Sequence, residues 1–221
     1  MPGPPRDAPE LLARAHALCG RRVESLGREL GMPIGASGAH TKGKVGELVE
    51  RALGATGGSS ATWDFPALQV ELKTIPVDLR GVPRESTFVC AVSLLDADRA
   101  EWETSWVRSK LARVLWVPVE TGDDGARTFG EARLWSPSAE QEGVLAGDFE
   151  EILGRVGAGG VEGVSAHVGR WLQLRPKAAH GGVRTRAPGD EGGTLTTVPR
   201  GFYLRARFTG AILRDVGAAP E

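Results

Sequence analysis

The sequence predicts a mixed α/β fold with a central sheet, and three observations predict it. Two strand-length runs, residues 87–95 and 114–119, are nearly continuously apolar, as strands covered on both faces are. Between and before them lie segments whose apolar residues recur every three or four positions, the spacing of helices with one buried face. The 31 Gly and 14 Pro among 221 residues supply many turns, which a long helical bundle does not need.

The elements follow in chain order. Residues 1–9 read as a flexible tail. Leu11, Leu12, Ala15, Leu18 and Cys19 mark a first helix stopped by Gly20, and Val23, Leu26 and Leu30 a second, ending near Gly31. Val45, Leu48, Val49, Ala52 and Leu53 form the stripe of a third helix from about Val45, and residues 54–60 are a small-residue loop. Strands are predicted over 70–75, 87–95 and 114–119. Phe149, Ile152, Leu153 and Val156 mark a further helix, and residues 171–175 alternate as a strand. Residues 180–193, glycine-rich and charged, read as a mobile loop. Alternation returns over 202–208, after which Thr209 is placed to cap a short last helix. Repeats and heptads are absent from the sequence.

Composition excludes several classes of protein. The formal net charge is −1, so any nucleic-acid surface must arise from uneven placement of charge. Two cysteines, Cys19 and Cys90, both read as core residues, do not make a disulfide framework and fit a reducing cytoplasm. No apolar run approaches the roughly 20 residues of a membrane span, and the first residues lack a basic-then-apolar leader. A cytoplasmic protein without membrane contact is the expectation. His16, His40, His167 and His180 are scattered without zinc spacing, no serine or cysteine has an evident base partner, and no Walker or dinucleotide fingerprint occurs.

The chemistry-bearing segment is residues 64–73: Asp64, an apolar run, then Glu71 and Lys73 two residues apart. In a strand, Glu71 and Lys73 share one face while Val70 and Leu72 point into a core. Magnesium prefers oxygen ligands, commonly one or two carboxylates completed by water and phosphate, and Asp64 and Glu71 are candidates to supply them. Lys73 is then placed to orient water or to offset charge on a pentacoordinate phosphorus. That is equipment for hydrolysing a phosphodiester. Glu50 lies at the flank of the third helix's apolar stripe, unlike Glu47 on the opposite side, and Lys110 precedes the strand at 114–119. An acid followed by Glu-x-Lys also recurs by chance, and charged strand positions are commonly a solvated face, so the motif alone leaves both readings open.

Asp64 with Glu71-Leu72-Lys73 resembles the PD-(D/E)xK nuclease signature. Longer strings, among them Val70-Glu71-Leu72-Lys73-Thr74-Ile75-Pro76-Val77-Asp78, Thr87-Phe88-Val89-Cys90, Leu174-Arg175-Pro176-Lys177-Ala178-Ala179 and Pro199-Arg200-Gly201-Phe202-Tyr203-Leu204, resemble the MutH family of strand-nicking endonucleases, from about residue 10 to about residue 215. The resemblance implies a restriction-endonuclease-like α/β fold: a central mixed β-sheet flanked by helices, with two arms forming a DNA-binding cleft. It implies one endonuclease domain over 10–215 with N- and C-terminal arms, and a tail over 216–221. It further implies that Asp64, Glu71 and Lys73 are catalytic with Glu50 and Lys110 as auxiliaries, that Asp64 and Glu71 hold Mg²⁺ (with Mn²⁺ able to substitute), and that a monomer nicks the unmethylated strand of hemimethylated GATC sites. The implied partners are double-stranded DNA, MutL as activator and MutS indirectly, in a bacterial cytoplasm.

Residues for holding DNA are basic or aromatic and fall late in the chain. In a strand over 171–175, Trp171, Gln173 and Arg175 share a face, and Arg175 and Lys177 bring positive charge to its end. Phosphate contacts give affinity, base edges give sequence information, and arginine suits bidentate contact with guanine. The resemblance implies that Arg175 and Tyr203 sense adenine methylation and that Lys42 lies near DNA. In the alternation over 202–208, Tyr203, Arg205 and Arg207 share an aromatic and basic face, which also suits an edge strand guarded by arginines. Arg184 and Arg186 sit in the glycine-rich loop. Two other functions remain open on these residues: a type II restriction endonuclease cutting both strands at the same tetranucleotide, and a DNA-binding module without cleavage.

Overall fold

In the computed structural model, residues 2–35, 41–58, 62–178 and 181–214 are described, with Thr41 and Lys42 described by backbone alone. By its internal contacts the chain divides into two compact units. The first is drawn from Met1–Glu85, Ala112–Ser136 and a short stretch from Gly210; the second from Ser86–Leu111 and Pro137–Thr209. The tail expected over 216–221 lies outside the described residues.

The first unit opens with α1, Ala8–His16, which begins inside the segment expected to be a tail. Asp7 caps it, its carboxylate accepting the Glu10 N–H at 2.8 Å. The segment before it is tied down: the Arg14 guanidinium donates to Gly3 O at 2.6 Å, and Pro5 is buried. α2 spans Val23–Glu29 and α3 spans Thr41–Leu53, four residues earlier than the apolar stripe indicated. Cys19, expected in the core, follows the end of α1 and is exposed; Cys90 is buried, and neither is in a disulfide.

β1, Glu71–Val77, pairs in parallel with β3, Val114–Thr121, from Glu71↔Val114 to Val77↔Glu120. β4, Arg127–Phe129, and β5, Arg133–Trp135, both pair antiparallel with β3. The result is a mixed sheet with β1 at one edge and β3 at its centre. Six consecutive residues of β3 are buried, which is why its sequence shows no alternation. Leu11, Leu26, Leu48, Val49 and Leu53 of the helices pack with Leu72, Leu115, Val117 and Phe129 of the strands, so helices flank the sheet as the pattern predicted.

The second unit carries an antiparallel sheet: β2, Thr87–Ala91, and β6, Leu172–Pro176, on either side of β9, Arg200–Leu204. α4 is Trp106–Leu111 and α5 is Ala139–Gly157, the latter opened by a reciprocal cap between Ser138 and Gln141. The stripe at residues 149–156 marked only the second half of α5. Asp148 on α5 accepts the backbone N–H groups of Arg170, Trp171 and Leu172 at 2.6, 2.6 and 2.7 Å, which fixes the start of β6. Gly169, at φ +80, makes the turn possible, since a Cβ there would lie 2.2 Å from Leu172 O. Phe149 stacks on Phe202 and Trp171 on Phe208, so these aromatics are packing groups.

Four sequence expectations need correction here. The segment expected as a mobile loop over 180–193 contains β7, Thr185–Pro188, which pairs with β8, Thr194–Thr197, around a turn at Gly189 to Gly193. The strand at 87–95 stops at Ala91. The alternation over 202–208 is a strand only to Leu204; α6, Ala206–Arg214, follows, because the Arg205 carbonyl accepts the N–H groups of Phe208 and Thr209 and starts a helix. Thr209 therefore sits inside α6, fully buried and 3.3 Å from the Thr87 hydroxyl, rather than capping it. Among the described residues no helix is long and apolar enough to cross a membrane.

Candidate functional site

The carboxylate cluster is built on the edge strand of the first unit. Residues Pro66–Leu68 form one turn of 3₁₀ helix, and Gln69 follows in the left-handed region at φ 51, ψ 43, the one non-glycine residue at positive φ among those described. Such a backbone is held only where its surroundings enforce it, and a bridge between Phe65 and Val70 does so. The turn folds Asp64 back beside β1. Edge strands leave alternate N–H groups without a ladder partner. Glu71 donates inward to Arg113 O at 3.0 Å, and the outward Leu72 N–H is taken by Asp64 Oδ2 at 2.7 Å. The Asp64 carbonyl in turn accepts from Thr56 and Gly57, and a Cβ on Gly57 would fall 1.9 Å from Trp63 O.

Alternation along β1 then places the rest. Val70 and Leu72 enter the core, while Glu71, only 4% exposed, meets Lys73 through an ion pair of 2.7 Å from Nζ to Oε1. α3 lies against β1, so close that a Cβ on Gly46 would fall 3.7 Å from the Thr74 hydroxyl oxygen. Glu50 is one helical turn further along the same face. Its carboxyl is pushed above the ordinary range, first by burial, then by the negative charges of Asp64, Glu47 and Glu71, against a smaller opposing pull from Lys73. Glu47, Glu50, Asp64, Glu71 and Lys73 thus share one electrostatic neighbourhood, four carboxylates to one ammonium. A cation relieves that imbalance. Among the described residues no three His, Cys, Asp or Glu side chains form a ready-made metal cluster. A pair of carboxylates, Asp64 and Glu71, is nevertheless a donor set that suits Mg²⁺.

Lys110 is carried by α4 of the second unit, 4% exposed, its ammonium 5.1 Å from the centre of the Trp106 ring. Lys42 is the second residue of α3, and its side chain lies outside the described residues.

The second constellation is one face of the β2–β9–β6 sheet. Phe88 pairs with Tyr203 across β2 and β9, and Tyr203 with Gln173 across β9 and β6, so the three share a face. Arg175 lies opposite Gly201. Gly201 is required there, since a Cβ would sit 2.7 Å from the Phe88 ring. Phe88 meets Tyr203 edge-on at 5.3 Å. The Arg175 guanidinium lies 5.6 Å from the Tyr203 ring centre and donates to Ser86 Oγ at 2.6 Å; the Lys177 ammonium lies 4.7 Å from the Phe88 ring centre. Arg175, Lys177 and Tyr203 are thus brought together on one face. Phe88 and Ser86 were missed, because an apolar run read as covered on both faces hides a half-open position at Phe88, and a lone serine just before the run carries no pattern.

The shared face for Tyr203, Arg205 and Arg207 does not form, since the strand ends before Arg205. Arg205 instead donates to the carbonyls of Val168 and Gly169, and Arg207 to that of Arg170. Arg184 donates to Gly181 O and Val183 O, and Arg186 to Thr194.

The family described as DNA mismatch repair enzyme MutH matches residues 53–148, a span that includes Asp64, Glu71, Lys73 and Lys110. A relative from Shewanella amazonensis is 46% identical over 217 residues, 97% of this chain and 97% of its own. One from Serratia proteamaculans is 44% identical over 216 residues, 96% and 95% of the two chains, and one from Klebsiella pneumoniae is 46% identical over 216 residues, 96% and 94%. Each bears the name DNA mismatch repair protein MutH.

Proposed function

This chain belongs to the MutH family of DNA mismatch repair endonucleases, with the mixed sheet flanked by helices of the restriction-endonuclease-like fold, and from that premise we propose that it nicks the unmethylated strand at hemimethylated GATC sites in a Mg²⁺-dependent reaction. One observation carries the catalytic part of the reading: Asp64, Glu71 and Lys73 converge on one edge strand beside Glu50.

Asp64 and Glu71 would hold Mg²⁺, which when bound supplies positive charge at the scissile phosphate and makes water a better nucleophile. Lys73, anchored by Glu71, orients water or offsets charge on the pentacoordinate phosphorus. Glu50, whose carboxyl burial and neighbouring carboxylates push upward, holds its proton more tightly than an ordinary carboxyl, which suits a proton carrier beside the reacting water. Lys110 serves as a second cation. Arg175, Lys177 and Tyr203 hold and read the DNA, with Lys42 near its backbone; a methyl on adenine N6 alters both shape and donor capacity where an aromatic ring can sense it. The protein acts as a monomer in the bacterial cytoplasm, with MutL as activator and MutS acting through it; Mn²⁺ substitutes for Mg²⁺.

A supercoiled plasmid with one hemimethylated GATC site, Mg²⁺ and MutL provides the test. Open circles with the methylated strand intact are expected. Linear product would instead indicate a restriction endonuclease cutting both strands, and tight binding without any product a non-cleaving DNA-binding module.

A further inference from the structure

We propose that Ser86 is a positioning residue for sequence discrimination: its hydroxyl holds Arg175 over the Tyr203 ring before DNA arrives. The inference rests on the reading of Arg175 as a base-contacting side chain and goes beyond it in naming what orients that side chain.

Arg175 stands exposed at the end of β6, opposite a glycine that offers it no side-chain wall. An arginine so placed samples many rotamers, and each must be given up when it docks on a base edge. Two contacts remove that freedom in advance. The Ser86 hydroxyl accepts from Nη1 at 2.6 Å, and the guanidinium lies 5.6 Å from the Tyr203 ring centre. The grip is local to the second unit: Ser86 immediately precedes β2, two residues before Phe88, and Phe88 itself meets Tyr203 edge-on. A serine accepts one of five guanidinium N–H groups and leaves others of the fork for a ligand. Thr87, between them, turns the other way and is buried against Thr209, so the backbone that presents Ser86 is fixed from behind. Because the hydrogen bond is exposed, its loss should hardly change the stability of the fold.

The experiment is equilibrium binding, without divalent ions, to a duplex carrying GATC and to the same duplex with those four bases permuted. The ratio of the two affinities is compared among the parent, Ser86→Ala, Ser86→Thr, Arg175→Ala and the Ser86→Ala/Arg175→Ala double variant. Ser86→Ala is expected to lower the ratio about tenfold, leaving affinity for the permuted duplex, its salt dependence and the unfolding midpoint at parental values. Ser86→Thr, which keeps the hydroxyl, restores the ratio, and Ser86→Ala adds nothing once Arg175 is gone. A parental ratio in Ser86→Ala, the same loss in Ser86→Thr, or a further loss in the double variant overturns the inference. If Arg175→Ala lowers the ratio while Ser86→Ala does not, the reading of Arg175 stands and Ser86 alone falls. If Arg175→Ala keeps the parental ratio, both fall.

Discussion

The carboxylate cluster of β1 and the aromatic face of the second sheet are held by opposite means. Around Asp64 the backbone does the holding: a left-handed residue, a bridge from Phe65 to Val70, and the Leu72 N–H bound by the carboxylate itself. Its charged groups are buried or half-buried and crowd one another. On the face of β2, β9 and β6 the side chains hold each other, through ring edges, cations over rings and one exposed hydroxyl. Rigid placement of like charges suits a group that must sit in one geometry during chemistry, whereas contacts between side chains orient long cations and still leave N–H groups for the DNA. The difference predicts that damage to the two regions will separate reaction from recognition.

The sharpest way to break that contrast is Asp64→Asn, which keeps an acceptor for the Leu72 N–H and removes the charge. Nicking is expected to fall by about 10³-fold or more, with DNA affinity within a few-fold of the parent; single-turnover cleavage beside a binding titration measures both, and equal losses would merge the two regions into one. Next comes Leu48→Ala, which empties a fully buried position on the helix that carries Glu50. It should cost about 2–5 kcal/mol of stability in urea unfolding.

Tyr203→Ala removes the ring beneath Arg175 and beside Phe88. Affinity for a GATC duplex is expected to drop about tenfold while the cleavage rate at saturating DNA stays near parental; a loss confined to the rate would assign Tyr203 to the chemistry.

Smallest is a pH effect in metal-free buffer. The Glu50 carboxyl is raised in the folded chain, first by burial and then by Asp64, Glu47 and Glu71. The fold therefore holds that proton more tightly than the unfolded chain does, so Glu50's stabilising contribution is complete below the ordinary carboxyl value of about 4.3 and is lost as pH rises through the raised one. Glu50→Gln carries no such loss, and its unfolding midpoint should gain on the parent's as pH rises. A constant difference between the two across pH 4 to 8 would remove the burial cost from Glu50.

Much of the first region was legible because local rules and the final structure agree. Period-two alternation alone put Glu71 and Lys73 together and sent Val70 and Leu72 inward. The helical stripe ending at Leu53 set Glu50 at its flank, where α3 meets β1. Less was legible where two periodicities met: the apparent strand through 202–208 breaks at Leu204, because helical hydrogen bonds from Arg205 outcompete continued pairing. The hairpin at 185–197 escaped notice since glycine and charge mark both turns and loops, and a short pair of strands adds little apolar pattern. The first residues, without periodicity, gave no hint of the hydrogen bond from Arg14 to Gly3.

By itself the sequence determined which side chains carry charge, which faces of β1 and α3 they occupy, and the family to which the order of its strings belongs. Only the tertiary structure decided that Asp64 caps the open edge of β1 within reach of Glu50's charge, and that Ser86, Phe88, Arg175 and Tyr203, far apart in the chain, form one surface. The reason is physical. Side-chain direction along a single element is dictated by backbone geometry, which neighbours in sequence share, whereas register between strands and the approach of helix to sheet are set by burial and packing of residues remote from one another.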